Sequence, residues 1–342
     1  MDRNIHEIIK RNYEIIQKQT FDLLAARRDE VYSKVPEIEE TDRSIQFTGI
    51  KYNKMIILGT GSPEDVLYEL SASMDDLKEK KLRLLVEAGY SADYLDPVYR
   101  CVKCRDTGYA QGSTGMEKCT CYRQQLLDIL YNQSNLRLAE TENFSAFDES
   151  CFSDAVDEKR YGIKISPREN ILKLKDRCER FIENIADPNE KNLFFSGPTG
   201  VGKTFMSNCI AMELLKAGRT VLYQPAPILF DTISEHKAKA FKDEDYADEA
   251  YKNIYDAELL IIDDLGTESQ TASRYSELLN IINIRQINNM SRPCKTIIST
   301  NLDMKQLHEY YKERVSSRII GCFDIFRFVG DDIRMLKKLN KS

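Results

Sequence analysis

The chain has 342 residues, 30% of them charged, and a formal net charge of −6. That length accommodates two domains and a core that needs no disulfides, while the acidic balance argues against a protein coated for nucleic acid, so any such contact is local. No apolar stretch is long enough to span a bilayer, and the opening Met1-Asp2-Arg3-Asn4-Ile5-His6 lacks the apolar core of a signal peptide, which points to a cytosolic protein without a membrane partner.

Ile5, Ile9, Ile16, Leu23 and Leu24 recur at helical spacing through a charged segment that Val35-Pro36 ends, predicting one long helix with one apolar stripe. The stripe packs either against a second helical stretch, Met74 to Glu87, or against a partner protein,. Between them Gly59-Thr60-Gly61-Ser62-Pro63 reads as a plain turn without the Gly-Lys-Thr ending of a phosphate loop,.

Cys101-Val102-Lys103-Cys104 is followed after fourteen residues by Cys119-Thr120-Cys121. Zn²⁺ takes four thiolates in a tetrahedron, and two such pairs on tight turns, joined by a hairpin, supply them. Asp106-Thr107-Gly108 is the turn chemistry a metal knuckle needs, although C-x-C is one residue shorter than the common spacing,. No histidine accompanies the quartet, so a structural zinc is expected. The other five of the nine cysteines, Cys151, Cys178, Cys209, Cys294 and Cys322, are scattered singly and read as inert core thiols,. The organisation expected is a helical and zinc-knuckle partner-binding domain over 1–125, a connector over 126–160 holding Asn143-Phe144-Ser145-Ala146-Phe147-Asp148, and a nucleotide-binding domain over 161–342.

A helix from about Pro167 to Ile185 leads to the apolar run Asn192-Leu193-Phe194-Phe195-Ser196, then to Gly197-Pro198-Thr199-Gly200-Val201-Gly202-Lys203-Thr204. This matches the phosphate-binding loop in full. Its glycines let backbone N–H groups face phosphate oxygens, Lys203 neutralises the β/γ-phosphates and Thr204 offers a hydroxyl to Mg²⁺. Met206, Ile210 and Leu214 mark the buried face of the following helix, which Gly218 closes,. Thr220 to Gln224 is a second strand, and Pro225 and Pro227 introduce helical material to about Tyr255.

Leu259-Leu260-Ile261-Ile262-Asp263-Asp264 is a buried strand delivering two acids to the carboxyl edge of a sheet,. Asp263 is expected to hold Mg²⁺ through its water shell, and Asp264 to orient the attacking water. A helix with Tyr275, Leu278, Leu279, Ile282 and Ile287 on its buried side precedes the strand Lys295 to Thr300, which ends at Asn301.

These motifs, with Glu313-Arg314-Val315-Ser316-Ser317-Arg318-Ile319, resemble the AAA+ ATPases, and within them the replicative-helicase loaders of the DnaC/DnaI type and the IstB-like transposition ATPases. The cysteine quartet looks like the amino-terminal zinc module of the Gram-positive loaders. The resemblance implies an α/β P-loop domain with a parallel sheet flanked by helices behind a small helical zinc-binding domain. It also implies ATP, Mg²⁺ and structural Zn²⁺ as cofactors, and a homo-oligomer in the ATP state. Asn301 becomes sensor 1, Arg318 the arginine finger that reaches a neighbouring subunit's ATP, and Arg334 sensor 2. The partners implied are the hexameric replicative helicase and single-stranded DNA, with Lys237, Lys239 and Lys242 as the DNA-facing residues, although the acids Asp243, Glu244, Asp245, Asp248 and Glu249 make a solvated mixed-charge face the first reading of that stretch,. The implied function is ATP-dependent helicase loading during DNA replication. A transposition or phage-replication helper is the near alternative, told apart by what residues 1–125 bind. A small-molecule kinase is the distant one, told apart by phosphate release without an acceptor.

Overall fold

The computed structural model describes residues 2–58, 63–112, 115–130, 142–241, 249–269 and 271–339. The chain divides into two compact units, Glu7–Glu117 and Lys118–Ser342 with Met1–His6. Three helices dominate the first, α1 (Asp2–Lys34), α2 (Pro36–Leu58) and α3 (Pro63–Glu87). Val31, Ile38 and Leu85, one from each, bury together with Leu95. Asp42 on α2 accepts from Tyr32 Oη at 2.7 Å and from Lys81 Nζ at 2.6 Å, so a polar clamp sits beside that apolar contact. The end of α1 thus packs in the way the sequence allowed. Its buried positions include Ile9, Tyr13, Leu24 and Val31, whereas Leu23 is 46% exposed because it lies a helical step off that stripe,. Helix α2 is an addition to the expected elements. Gly59 to Ser62 lies outside the described residues.

A short hairpin, β1 (Tyr109–Gln111) and β2 (Met116–Lys118), leads into α4 (Thr120–Leu130). Beyond it come α5 (Pro167–Glu183), β3 (Asn192–Ser196), α6 (Lys203–Lys216), β4 (Val221–Pro225), α7 (Ala226–Ala240), α8 (Glu249–Asp256) and β5 (Leu259–Leu265). The chain closes with α9 (Ala272–Asn288), β6 (Lys295–Thr300), α10 (Met304–Cys322), β7 (Phe323–Arg327) and α11 (Ile333–Leu339). Ser166 caps α5 by accepting from Glu169 N–H at 3.1 Å, with Pro167 just inside the helix where its missing N–H matters least,.

Strands β3 to β7 form one parallel sheet in the order β4-β5-β6-β3-β7. Strand residues alternate between two cores, as expected for a sheet covered on both faces. Leu193, Phe195, Val221, Tyr223, Leu259, Ile261 and Ile297 pack with residues of α5 and α6, while Phe194, Leu222, Leu260, Ile262 and Ile298 pack with residues of α7 to α10. The order places β6 between β3, which carries the phosphate loop, and β5, which carries the two acids. Polar residues at the end of β6 therefore face both.

Two predictions about side chains need correction. Ile287 is 70% exposed, and the position that α9 buries in the same turn is Arg285, 1% exposed. Arg285 donates to the carbonyls of Ile254, Ala257 and Lys295 at 2.8, 2.9 and 2.6 Å and to Thr296 Oγ1 at 2.9 Å. The guanidinium thereby gathers the segments entering β5 and β6, and burial pulls its pKa below the usual value,. Of the scattered cysteines, Cys178, Cys209 and Cys294 are buried as expected, but Cys151 and Cys322 are only partly so. Replacing Arg285 with Met strands three carbonyls, and the expected loss is about 2–4 kcal/mol of unfolding free energy, read from the urea midpoint at unchanged slope.

Candidate active site

The phosphate loop follows β3 and runs into α6. Gly197 has φ +147°, and a Cβ there would lie 2.3 Å from Phe328 O; Gly200 has φ +83°, and a Cβ there would lie 2.3 Å from the Asp332 carboxyl carbon. Both positions therefore require glycine, for conformation and for space. Lys203 is 6% exposed, and its Nζ donates to Gly197 O and Pro198 O, each at 2.7 Å, and to Asn301 Oδ1 at 2.8 Å. Burial lowers its pKa to about 8 against the opposing pull of Asp264 and Asp263,.

Asp263 lies on the sheet face that α6 covers, the face shared by Tyr223 and Ser299 by strand parity. Its Oδ2 accepts from Thr204 Oγ1 at 3.1 Å and from Tyr223 Oη, and its Oδ1 accepts from Ser299 Oγ and from Asp264 N–H at 3.1 Å. Neither Tyr223 nor Ser299 stood among the predicted site residues. The signal that could have found them is the alternation of strand residues applied to the neighbours of β5.

Consecutive strand residues ordinarily point to opposite faces, which would separate the two acids. A bulge prevents that here. Ile262 pairs with Ile298 and Leu265 with Thr300, so β5 spends one more residue than β6 over this interval, and Asp264 takes φ +54°,. Asp264 thus lines the same cavity as Lys203, and burial, followed by the Asp263 charge, raises its pKa,.

That cavity, of about 390 Å³, is bounded by Thr199 to Thr204 without Val201, by Asp264, Asn301 and Arg334, and on its other side by Phe147, Phe152 and Phe205. The segment around Phe144 to Phe147, read as a connector, therefore forms a wall of it. Arg334 comes from the start of α11, whose Ile333 N–H donates to Gly200 O at 3.0 Å. Arg318 lies elsewhere, on an exposed face of α10 outside the cavity. Lys237 is ion-paired with Glu277, Lys239 lies 4.0 Å from Glu235, and Lys242 is outside the described residues.

In the segment 101–121 the four sulfurs of Cys101, Cys104, Cys119 and Cys121 all lie within 4.8 Å of one another. A tetrahedral zinc with bonds of ~2.3 Å sets sulfurs ~3.8 Å apart, so the quartet fits that ion after small adjustment. The first pair sits on the predicted turn. Asp106, 1% exposed, accepts there from Arg100 N–H at 2.9 Å and Cys101 N–H at 2.7 Å. The second pair does not sit on a turn. Cys119 precedes α4 and Cys121 is in its first turn, which is why one residue between them suffices.

The parallel sheet, the phosphate loop, the buried acid facing its threonine and the polar end of an intervening strand define a P-loop ATPase of the AAA+ type. Residues 172–321 match the family described as IstB-like ATP binding protein. The chain is 27% identical over 163 residues to the replicative helicase loader DnaC of Escherichia coli strain K12, covering 47% of this chain and 61% of that protein. It is 30% identical over 148 residues to a protein of Sinorhizobium fredii strain NBRC 101917 / NGR234 described as an insertion sequence ATP-binding protein, y4pL, covering 42% and 56%. A crystal structure of DnaI shares 23% identity at a TM-score of 0.39, covering 55% of this chain and 94% of that one. Residues 172–321 thus match the IstB-like ATP-binding family, and at modest identity this region is similar to the DnaC loader and to an insertion-sequence ATP-binding protein. It spans less than two thirds of the length of these curated relatives. Among the described residues no helix is long and apolar enough to cross a membrane.

A phosphate next to Lys203 favours its charged form, so nucleotide binding raises a pKa that starts at about 8. Below that pH the lysine is already charged and affinity is flat. Above it, binding must take up a proton, and ATP affinity is expected to fall by up to about tenfold per pH unit. Calorimetry at pH 8.0 (about the Lys203 pKa) in buffers of different ionisation heat should register the uptake of roughly half a proton.

Proposed function

We propose that this ATPase loads the hexameric replicative helicase onto single-stranded DNA, with ATP binding and hydrolysis as the switch for assembly and release. The observation carrying this reading is the convergence of four thiols ahead of the ATPase region, in the place of the zinc module that the resemblance to Gram-positive loaders implies. Cys101, Cys104, Cys119 and Cys121 would hold a structural zinc, and residues 1–125 would bind the helicase. The similarity to the DnaC loader supports the same reading.

In the ATPase site the loop amides and Lys203 bind the triphosphate. Thr204 and Asp263 would hold Mg²⁺, which neutralises charge between the β- and γ-phosphates. Asp264 orients the attacking water and accepts its proton, a task that its raised pKa favours,. Asn301 fixes Lys203 and senses the γ-phosphate from the end of β6. Arg334 meets the phosphates from within the same subunit. Arg318, exposed and outside its own cavity, would reach the site of a neighbouring copy in this scheme, which would make hydrolysis conditional on assembly. Lys239 would face DNA in this scheme, while Lys237 is committed to Glu277.

The similarity to an insertion-sequence protein supports a second reading, a transposition helper with the same chemistry and a different partner.

Arg318→Ala is expected to bind ATP as the parent does and to lose the hydrolysis that rises with protein concentration; turnover unchanged in the assembled state would remove the residue from this role. Light scattering after size exclusion of the full chain with its host's replicative helicase, in ATP and in ADP, tests the partner. A nucleotide-dependent complex supports loading, and its absence in both nucleotides directs the search to transposases.

A further inference from the structure

Asp264 carries the proposed water activation, but Asp263 is the more constrained group. An ionised carboxylate offers about four lone-pair positions. At Asp263 all four have donors: Thr204 and Tyr223 on Oδ2, Ser299 and the Asp264 N–H on Oδ1. Oδ2 is the oxygen that faces the phosphate loop, since it is the one shared with the Thr204 hydroxyl. The threonine can keep its donation while its own lone pair turns to a cation. A water molecule on that cation would compete with the Tyr223 phenol for Oδ2.

We infer that Tyr223 is a positioning residue that competes with the hydration shell of Mg²⁺ for Asp263, and so sets how much Mg²⁺ the nucleotide site requires. The inference rests on Asp263 serving Mg²⁺ and goes beyond that assignment. Tyr223 is 3% exposed and reaches Asp263 from β4, two residues below the level at which Pro225 pairs with it. For a water of the cation to take that position on Oδ2, the phenol would have to give up its hydrogen bond. The device makes the site discriminate against low Mg²⁺ without altering any group that touches nucleotide.

The test is ATP affinity of the full-length protein, by calorimetry, across a Mg²⁺ series and in EDTA. Tyr223→Phe should lower the half-saturating Mg²⁺ on the order of tenfold, with affinity in EDTA equal to that of the parent. An unchanged or raised requirement overturns the inference. Ser299→Ala frees the other oxygen and should not lower the requirement; an equal fall would overturn the assignment to Oδ2. Placing 3-fluorotyrosine at 223, a stronger donor of nearly the same shape, should raise the requirement, and a fall would count against competition even if the phenylalanine variant failed to fold. Asp263→Asn tests the underlying reading separately. If it leaves the Mg²⁺ dependence intact, Asp263 does not serve Mg²⁺; if it abolishes the dependence while Tyr223→Phe moves nothing, only the competition fails.

Discussion

Burying a carboxylate is tolerable only when donors replace its lost water, and Asp263 collects them from four different places in the chain,. Tyr223 comes from β4, Ser299 from β6, Thr204 from α6, and the fourth donor is backbone. One group therefore ties the strand order to the phosphate loop. The order itself does the rest. With β6 between β3 and β5, Asn301 stands beside Lys203 as Ser299 stands beside Asp263, so one short strand serves both the cation of the loop and the anion of its neighbour. A one-residue slip of β6 that brought Ile298 to the level of Ser299 would set an apolar side chain against the acid,.

Much of this was legible in the chain. The phosphate loop is a fixed spacing of residue types, and apolar runs bounded by turn residues marked β3, β5 and β6 to within a residue. Other features resisted for particular reasons. Arg285 reads as an exposed helical arginine because its partners are carbonyls, which leave no trace in a sequence. Ile287 reads as core because an apolar residue near a helix end carries no information about how far the helix packs. Helix α2 is rich in polar residues, and only Pro36 with Glu37 and Glu39 in the first turn announced it. The short spacing of Cys119 and Cys121 weakened the metal reading only as long as a turn was assumed; on a helix start it brings the sulfurs close enough.

Electrostatics across the cavity follow from burial more than from charge counting. Lys203 and Asp264 are each pushed toward neutrality by their surroundings, the lysine down and the acid up, and each partly restores the other. An arriving phosphate shifts this balance in one direction only.

The bulge at Asp264 also limits what this position can become by chance. At φ +54° the backbone favours Asp, Asn and Gly over longer side chains,. A single base change that replaces this aspartate keeps the acid only as Glu, which strains the backbone, and every other one discards the acid, Asn and Gly being those that suit the backbone. Drift at this codon thus leads away from either the chemistry or the conformation, and a lineage adopting the longer acid would first have to straighten its strand.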